Sequence, residues 1–294
     1  MNKVWFITGS ARGLGRHLTE TVLRQGDHVA ATARNISALD DLVTKYAGQI
    51  LPLTLDVTQN DAVHAAVAAA IARFGRIDVL VNNAGFGITG AAEAFTDEQV
   101  RNQLEANLYA PIQITRAVLP HMRAQGSGRI LQVSSIGGRV GTAGVSIYQA
   151  AKFGLSGFTE AIRQEVEPLG IFVTSIEPGG FRTDWAGDSM SFAPTIAEYT
   201  VVNQRAEAFR SGAFEPMGDP AKAASVMVKV AAHPAPPVHL VLGSEAVALL
   251  EMADTNRKRE FEEWKAVSVS TDHDEATPFL ETPLGKAYAA FQNA

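Results

Sequence analysis

The segment YQAAK, residues 148–152, sets Tyr148 four positions ahead of Lys152, so both lie on one face of any helix that holds them. As a plain surface pair, such neighbours contribute only about 0.2–0.5 kcal/mol. A phenol ionises at about pH 10, and an ammonium beside it favours the charged form, so the same pair suits proton transfer at neutral pH. Upstream, the run RILQVSS ends at Ser134 and Ser135, where a strand-end hydroxyl can face the first turns of that helix. Where an oxygen gains negative charge in a reaction, such an acid can deliver a proton to it, and a second donor such as a serine hydroxyl can stabilise the charge.

A second group of residues could hold a phosphate-bearing cofactor. TGSARGLG joins an apolar run to a helical pattern and contributes Thr8, Gly9, Arg12, Gly13, Leu14 and Gly15. Glycine lets backbone approach a ligand, and a helix N-terminus offers free N–H groups and the positive end of its dipole. The spacing Gly9-x-x-x-Gly13-x-Gly15 differs from the usual G-x-G-x-x-G dinucleotide pattern, although the strand–turn–helix context is the same. At the end of the next strand, HVAATARN has Ala33 and Arg34 and no acid to bind a ribose 2′-hydroxyl. Arg34 and Arg12 can pair with a 2′-phosphate, or both can be solvated surface residues; the first reading favours NADP(H) over NAD(H). Three further strand ends carry Asp56 and Val57 in LDVT, Asn83, Ala84 and Gly85 in VNNAG, and Pro178, Gly179 and Thr183 in IEPGGFRTD. Each alone can be an Asx turn or strand terminator. Together they fall on one edge of one sheet, where ligands of open parallel sheets collect.

The elements that position these residues follow from periodicity. VWFIT (4–8), HVAATA (28–33), ILPLTL (50–55), DVLVN (78–82), RILQVS (129–134), IFVTSI (171–176) and VHLVL (238–242) are strand candidates. Helical patterns lie between them, several ending at a glycine suited to a left-handed cap: Gly26, Gly48, Gly75 and Gly126. Such alternation implies parallel strands joined by right-handed crossovers, hence an α/β fold with one doubly wound, mostly parallel seven-stranded sheet flanked by helices. Residues 1–242 form the expected single domain. Its weak point is 184–218, which shows no clean strand; Trp185, Met190 and Phe192 there suggest an apolar lid, or loop packing, while Arg139 and Arg182 could meet an anionic substrate group. Residues 243–294 read as an amphipathic helix and then an acidic, poorly periodic tail, packed on or extending the same domain.

Composition narrows the classes. The chain has 294 residues, 46% hydrophobic and 19% charged, with 25 Lys and Arg against 31 Asp and Glu. The net charge of −6 gives no overall bias toward nucleic acid or an anionic membrane. There is no cysteine, so disulfides, thiol nucleophiles and Cys-ligated zinc are excluded, and the seven histidines are scattered; no metal is expected. No run approaches a membrane span and no signal peptide is evident, so a soluble cytoplasmic protein is expected. The serines lack the Gly-x-Ser-x-Gly elbow of a serine hydrolase.

The glycine turn, NNAG, Ser135 thirteen residues before Tyr148, Tyr-x-x-x-Lys and PGGFRT resemble, in order and spacing, the short-chain dehydrogenase/reductase family over roughly residues 1–242. The resemblance implies a Rossmann-like fold and hydride transfer between NADP(H) and a ketone or secondary alcohol. It implies Tyr148 as general acid/base, Lys152 lowering its pKa and holding the nicotinamide ribose, and Ser135 positioning the substrate oxygen. Asn107, in NLYAP, takes the place of the family asparagine that holds a water on the proton path. A homodimer or homotetramer built on helices at about 97–124 and 147–168 is implied as well, with the C-terminal extension able to block one interface. The fold also admits nucleotide-sugar epimerases or dehydratases, which usually have a longer substrate domain, and non-catalytic NADP-sensing regulators, which need no proton donor.

Overall fold

The computed structural model describes residues 2–183, 185 and 189–292. Along the chain run β1 (Val4–Ile7), α1 (Gly13–Arg24), β2 (His28–Ala33), α2 (Asp40–Lys45), β3 (Ile50–Thr54), α3 (Asn60–Phe74), β4 (Val79–Asn82) and β5 (Gly87–Thr89). There follow α4 (Asp97–Leu104), a π-helical turn (Glu105–Tyr109), α5 (Ala110–Gln125), β6 (Gly128–Val133), α6 (Ser146–Val166) and β7 (Ile171–Pro178). Then come β8 (Met190–Phe192), α7 (Thr200–Arg210), α8 (Pro220–Ala232), β9 (His239–Leu242), α9 (Ser244–Val269) and α10 (Pro283–Gln292).

Seven strands form one parallel sheet in the order β3-β2-β1-β4-β6-β7-β9, and all seven fall on the expected segments. Side chains alternate across it. Trp5, Ile7, Val29, Ala31, Val79, Val81, Leu131 and Val133 face one core with α1 and α8, whereas Phe6, Ala30, Leu80 and Ile130 face the other with α3, α5 and α6. Burial on both faces explains why these strands read as near-continuous apolar runs. The order reverses between β1 and β4, and connections leaving to opposite sides open a crevice at their C-terminal ends.

The structure adds elements that periodicity did not suggest. β5 and β8 form a separate two-stranded parallel sheet, so the segment after Thr183 contains a strand and then the helix α7. Positions 184 and 186–188 of that segment lie outside the described residues. One compact unit runs to Leu250, past the expected boundary at 242, because the first turn of α9 still packs at the sheet end: Ala246 is fully buried. The unit from Glu251 onward holds the rest of α9, where Phe261 and Trp264 stand exposed, and α10. Within it Phe279 and Tyr288 pack ring against ring, 6.4 Å apart, so part of the expected irregular tail is helical.

The edge strand β9 is tied to β7 by charge. Glu177 is fully buried, and its carboxylate accepts from Ser175 Oγ at 3.0 Å and Arg139 at 3.2 Å and pairs with His239 Nδ1 at 2.6 Å. His239 Nε2 meets Glu160 of α6 at 2.9 Å. The Glu177 carboxylate, more than any other influence, raises the proton affinity of His239 above its ordinary value of 6.5. A raised folded-state pKa stabilises the fold fully below about 6.5, and that stabilisation is lost as pH rises through the folded value. Thermal melts should therefore show the native protein losing Tm from pH 6.5 upward relative to its His239→Asn variant. Parallel Tm profiles for the two proteins across that range would contradict this.

Candidate functional site

The crevice is a cleft of about 1640 Å³. One end is built by the glycine turn. Gly9 has φ +69°, and a β-carbon on Gly15 would lie 2.2 Å from the Gly9 carbonyl oxygen and 2.4 Å from Asn83 Nδ2, so only glycine fits there. Thr8 and Gly15 are buried beneath the cleft rather than lining it. Thr8 Oγ1 accepts the backbone N–H groups of Asn83 at 2.9 Å and Ala84 at 3.0 Å, while Asn83 Nδ2 donates to the carbonyls of Thr8 at 2.9 Å and Gly9 at 3.2 Å. This clamp joins the C-terminal ends of β1 and β4. Below it, Asn82 Nδ2 donates to Gln132 at 2.9 Å and to Thr115 at 3.1 Å, which fixes β4 against β6 and α5.

Gly9, Arg12, Gly13 and Leu14 line the cleft at the start of α1. That helix has no side-chain cap and no acid in its first turn, unlike α4 with its Thr96/Gln99 capping box and α8 with Asp219. Its leading N–H groups are therefore available to an anion. Arg34 lines the same end, and both it and Arg12 are exposed with no acidic partner among the described residues. Arg16 is instead committed to Glu20, Asp41 and the Ala38 carbonyl. Asp56 and Val57 form another part of the wall; Asp56 Oδ1 also accepts from the Thr58 N–H at 3.0 Å, an Asx turn. Ala84 and Gly85 at the centre, with Pro178, Gly179 and Thr183 opposite, complete this half.

The other half gathers Asn107, Ser135, Tyr148 and Lys152. Successive residues at the end of β6 each hold a different part of α6. The Val133 carbonyl accepts from Lys152 Nζ at 2.8 Å, Ser134 Oγ bonds the Lys152 carbonyl at 3.2 Å and Ser156 Oγ at 3.0 Å, and Ser135, whose Oγ accepts the Gly137 N–H at 3.0 Å, lies near enough to the Tyr148 hydroxyl to lower its pKa. Ser134 thus points into the helix packing, and Ser135 is the serine that meets the tyrosine. Tyr148 and Lys152 retain only 7% and 5% of their surface. Burial pushes the phenol up to about 12, with the Ser135 hydrogen bond opposing, and pushes the ammonium down to about 8. The downward shift expected for Tyr148 is not what the protein alone imposes. Loss of water outweighs an ammonium that lies 5.7 Å from the ring centroid and is already engaged by a carbonyl.

Asn107 sits in the π-helical turn between α4 and α5. Pro111 cannot donate the amide hydrogen that would close an ordinary turn onto the Asn107 carbonyl, which accounts for the widening at this point. The Asn107 side chain is buried; Nδ2 donates to the Phe86 carbonyl at 3.1 Å, while Oδ1 has no partner among the described residues. A β-carbon on Gly85 would lie 2.5 Å from that oxygen and 3.8 Å from Lys152 Nζ, so both groups border one small space.

Of the expected lid residues, Trp185 lines the cleft and packs on Tyr148 at 5.2 Å between ring centroids. Met190 is buried against Thr89, and Phe192 lies beneath the Arg210 guanidinium. Arg139 is held by Glu177 and Arg182 by the Pro216 carbonyl, and neither lines the cleft. Sequence reading missed Gln149, Arg205, Phe209 and Phe214, all of which do. The apolar spacing of Val202, Ala206 and Phe209 was the available signal for the helix that carries two of them.

A fold of seven parallel strands with a glycine turn at its switch point and a Ser–Tyr–Lys set at the adjacent strand end defines a nucleotide-dependent oxidoreductase class. The short chain dehydrogenase family model matches residues 3–192, and the chain belongs to the short-chain dehydrogenase/reductase family. An oxidoreductase of Botryotinia fuckeliana, BOA17, is 43% identical over 274 residues, covering 92% of this chain and 100% of its own. A 3-ketodihydrosphingosine reductase of Bacteroides thetaiotaomicron is 32% identical over 250 residues, 82% of this chain and 88% of its own. A short-chain dehydrogenase structure from Streptomyces avermitilis superposes with a TM-score of 0.88 at 38% identity, covering 93% of this chain and 100% of its own.

Gly15→Ala should lower thermodynamic stability by about 1–3 kcal/mol, because the new methyl group collides with backbone the Thr8–Asn83 clamp holds in place. Chemical denaturation measures this; a native-like midpoint would mean that the turn yields.

Proposed function

We propose that the protein transfers hydride between NADP(H) and a carbonyl or secondary alcohol, with Tyr148 as general acid/base. The observation that carries this reading is the gathering of Ser135, Tyr148 and Lys152 in one cleft whose far end is an uncapped helix N-terminus. NADP(H), when bound, supplies or accepts the hydride. The first-turn N–H groups of α1, with Gly13 and Leu14, would hold its diphosphate, and Arg12 and Arg34 its 2′-phosphate. Asp56 and Val57 would face the base, Asn83, Ala84 and Gly85 the ribose side, and Pro178, Gly179 and Thr183 the nicotinamide end. Lys152 would bind the nicotinamide ribose beside Tyr148.

In reduction, Tyr148 delivers its proton to the substrate oxygen, and Ser135 donates a hydrogen bond to the charge developing there. Burial keeps the phenol protonated at neutral pH, which is the form a reduction requires. Lys152, with its pKa near 8, is mainly charged at pH 7 and favours the phenolate left behind. Asn107 Oδ1 can hold a water against Lys152, a route by which Tyr148 regains its proton. The similarity to a relative named for ketone reduction supports the carbonyl as acceptor. We further infer a small-molecule ketone or alcohol as partner, a cytoplasmic site of action and a homodimer or homotetramer assembled through α4, α5 and α6. No helix among the described residues is long and apolar enough to cross a membrane.

Tyr148→Phe should keep NADPH binding and lose about 10²–10⁴ in kcat against a panel of ketones and aldehydes. Turnover equal to that of the native protein would overturn the assignment. Arg34→Asp should weaken NADPH by about 10–100-fold while changing NADH by less than about threefold. Equal losses for the two cofactors would remove the 2′-phosphate role.

A further inference from the structure

The substrate half of the cleft is closed by one face of α7. Val201, Gln204, Arg205, Ala208 and Phe209 recur at helical spacing and all line it; Arg205 is the charged member. Beyond the catalytic pair runs a ladder of rings. Tyr148 packs on Trp185, Trp185 meets Phe209 edge to face at 6.2 Å, and Phe209 meets Phe214 at 5.3 Å. Such a wall suits an apolar or aryl skeleton.

Arg205 stands out against this wall. Its side chain is half-buried, and burial lowers its proton affinity. It makes one hydrogen bond, from Nη1 to Thr142 Oγ1 at 2.9 Å, and has no acidic partner among the described residues. A guanidinium has five N–H donors in a planar fork that matches a carboxylate, and removing it from water without an anion is costly. The acidic residues of the cleft, Asp56, Glu105 and Glu245, are carried by other elements, and none of them pairs with it. The guanidinium is also coupled to the catalytic helix. Gln149, the residue after Tyr148, donates to Thr142 Oγ1 at 2.8 Å and accepts the Thr142 N–H at 2.8 Å, so Thr142 holds Arg205 in a fixed register with Tyr148.

We propose that the cleft takes a keto acid, an apolar or aryl ketone that also bears a carboxylate, with Arg205 receiving the carboxylate while the carbonyl meets Ser135 and Tyr148. This rests on the carbonyl-reductase reading of the same site. The specificity follows from what each part of the cleft lacks: the ring ladder carries no cation, and Arg205 has donors beyond its one bond to Thr142 and no acidic partner among the described residues.

The test compares 4-oxo-4-phenylbutanoate with its primary amide, which has the same skeleton without the charge. Both are titrated calorimetrically into the NADP-loaded protein at pH 7 and low salt. The native protein should bind the carboxylate about tenfold or more tightly than the amide. Arg205→Met should abolish that preference, leaving amide affinity within about twofold, and Arg205→Lys should restore part of it. Equal affinity of the native protein for the two compounds, or binding of neither, overturns the proposal without recourse to any variant. Equal weakening of both by Arg205→Met also overturns it, because that pattern marks a residue that only docks α7. Selective carboxylate binding without NADPH oxidation would keep the Arg205 assignment and sink the reductase reading. NADPH oxidation at equal kcat/KM for both compounds would do the reverse.

Discussion

The hydrogen bond from Lys152 Nζ to the Val133 carbonyl is the contact on which the site's geometry depends. Burying an ammonium is costly unless it is met by oxygen, and here the last carbonyl of β6 meets it. That fixes the rotation of α6 about its axis and its height above the sheet. Tyr148, one turn earlier on the same face, must then point at the residue two places beyond Val133, which is Ser135. Ser134 reinforces the arrangement from the opposite side of the strand through the Lys152 carbonyl and Ser156. A substitution at Lys152 would therefore disturb position as well as charge.

The other half of the cleft rests on a neutral counterpart, the exchange of hydrogen bonds between Thr8 and Asn83. Its physical demand is close approach. β1 and β4 are adjacent at the switch point, and the glycine turn folds so tightly over them that Gly15 has no room for a methyl group. The polar knot of Asn82, Gln132 and Thr115 continues this order toward β6, whose end carries the serines. The two halves are thus connected through backbone and buried amides, so the relative positions of the glycine turn and Tyr148 are set by the sheet.

Much of this was legible in the sequence because it depends on local pattern. Strands buried on both faces must be apolar throughout, and VWFI or VLVN can hardly be read otherwise; a glycine-rich stretch between such a strand and a helical pattern marks the tight turn that joins them. What was not legible depends on contacts distant in sequence. β5 and β8 have three residues each and become strands only because Gly87 and Met190 meet across about a hundred residues of chain. Arg205 could not be distinguished from any other helical arginine until its neighbours showed no acid. Arg139 and Arg182 were reasonable anion receptors by position after strand ends, but a buried glutamate and a backbone carbonyl had already engaged them. The upward push of burial on Tyr148 was hidden for the same reason: spacing gives the distance to a lysine but not the loss of water around both groups.

That loss of water shifts both groups the same way, toward their neutral forms. Moving a phenol from its ordinary value of 10 to about 12 disfavours phenolate by about 3 kcal/mol. Lowering Lys152 from 10.5 to about 8 likewise shifts it toward its neutral form, although it stays mainly charged at pH 7. Positive charge near Tyr148 relieves the penalty, and a charged Lys152 is the protein's own source of it. Its state near neutral pH therefore sets how far the burial of Tyr148 is offset by a neighbouring charge.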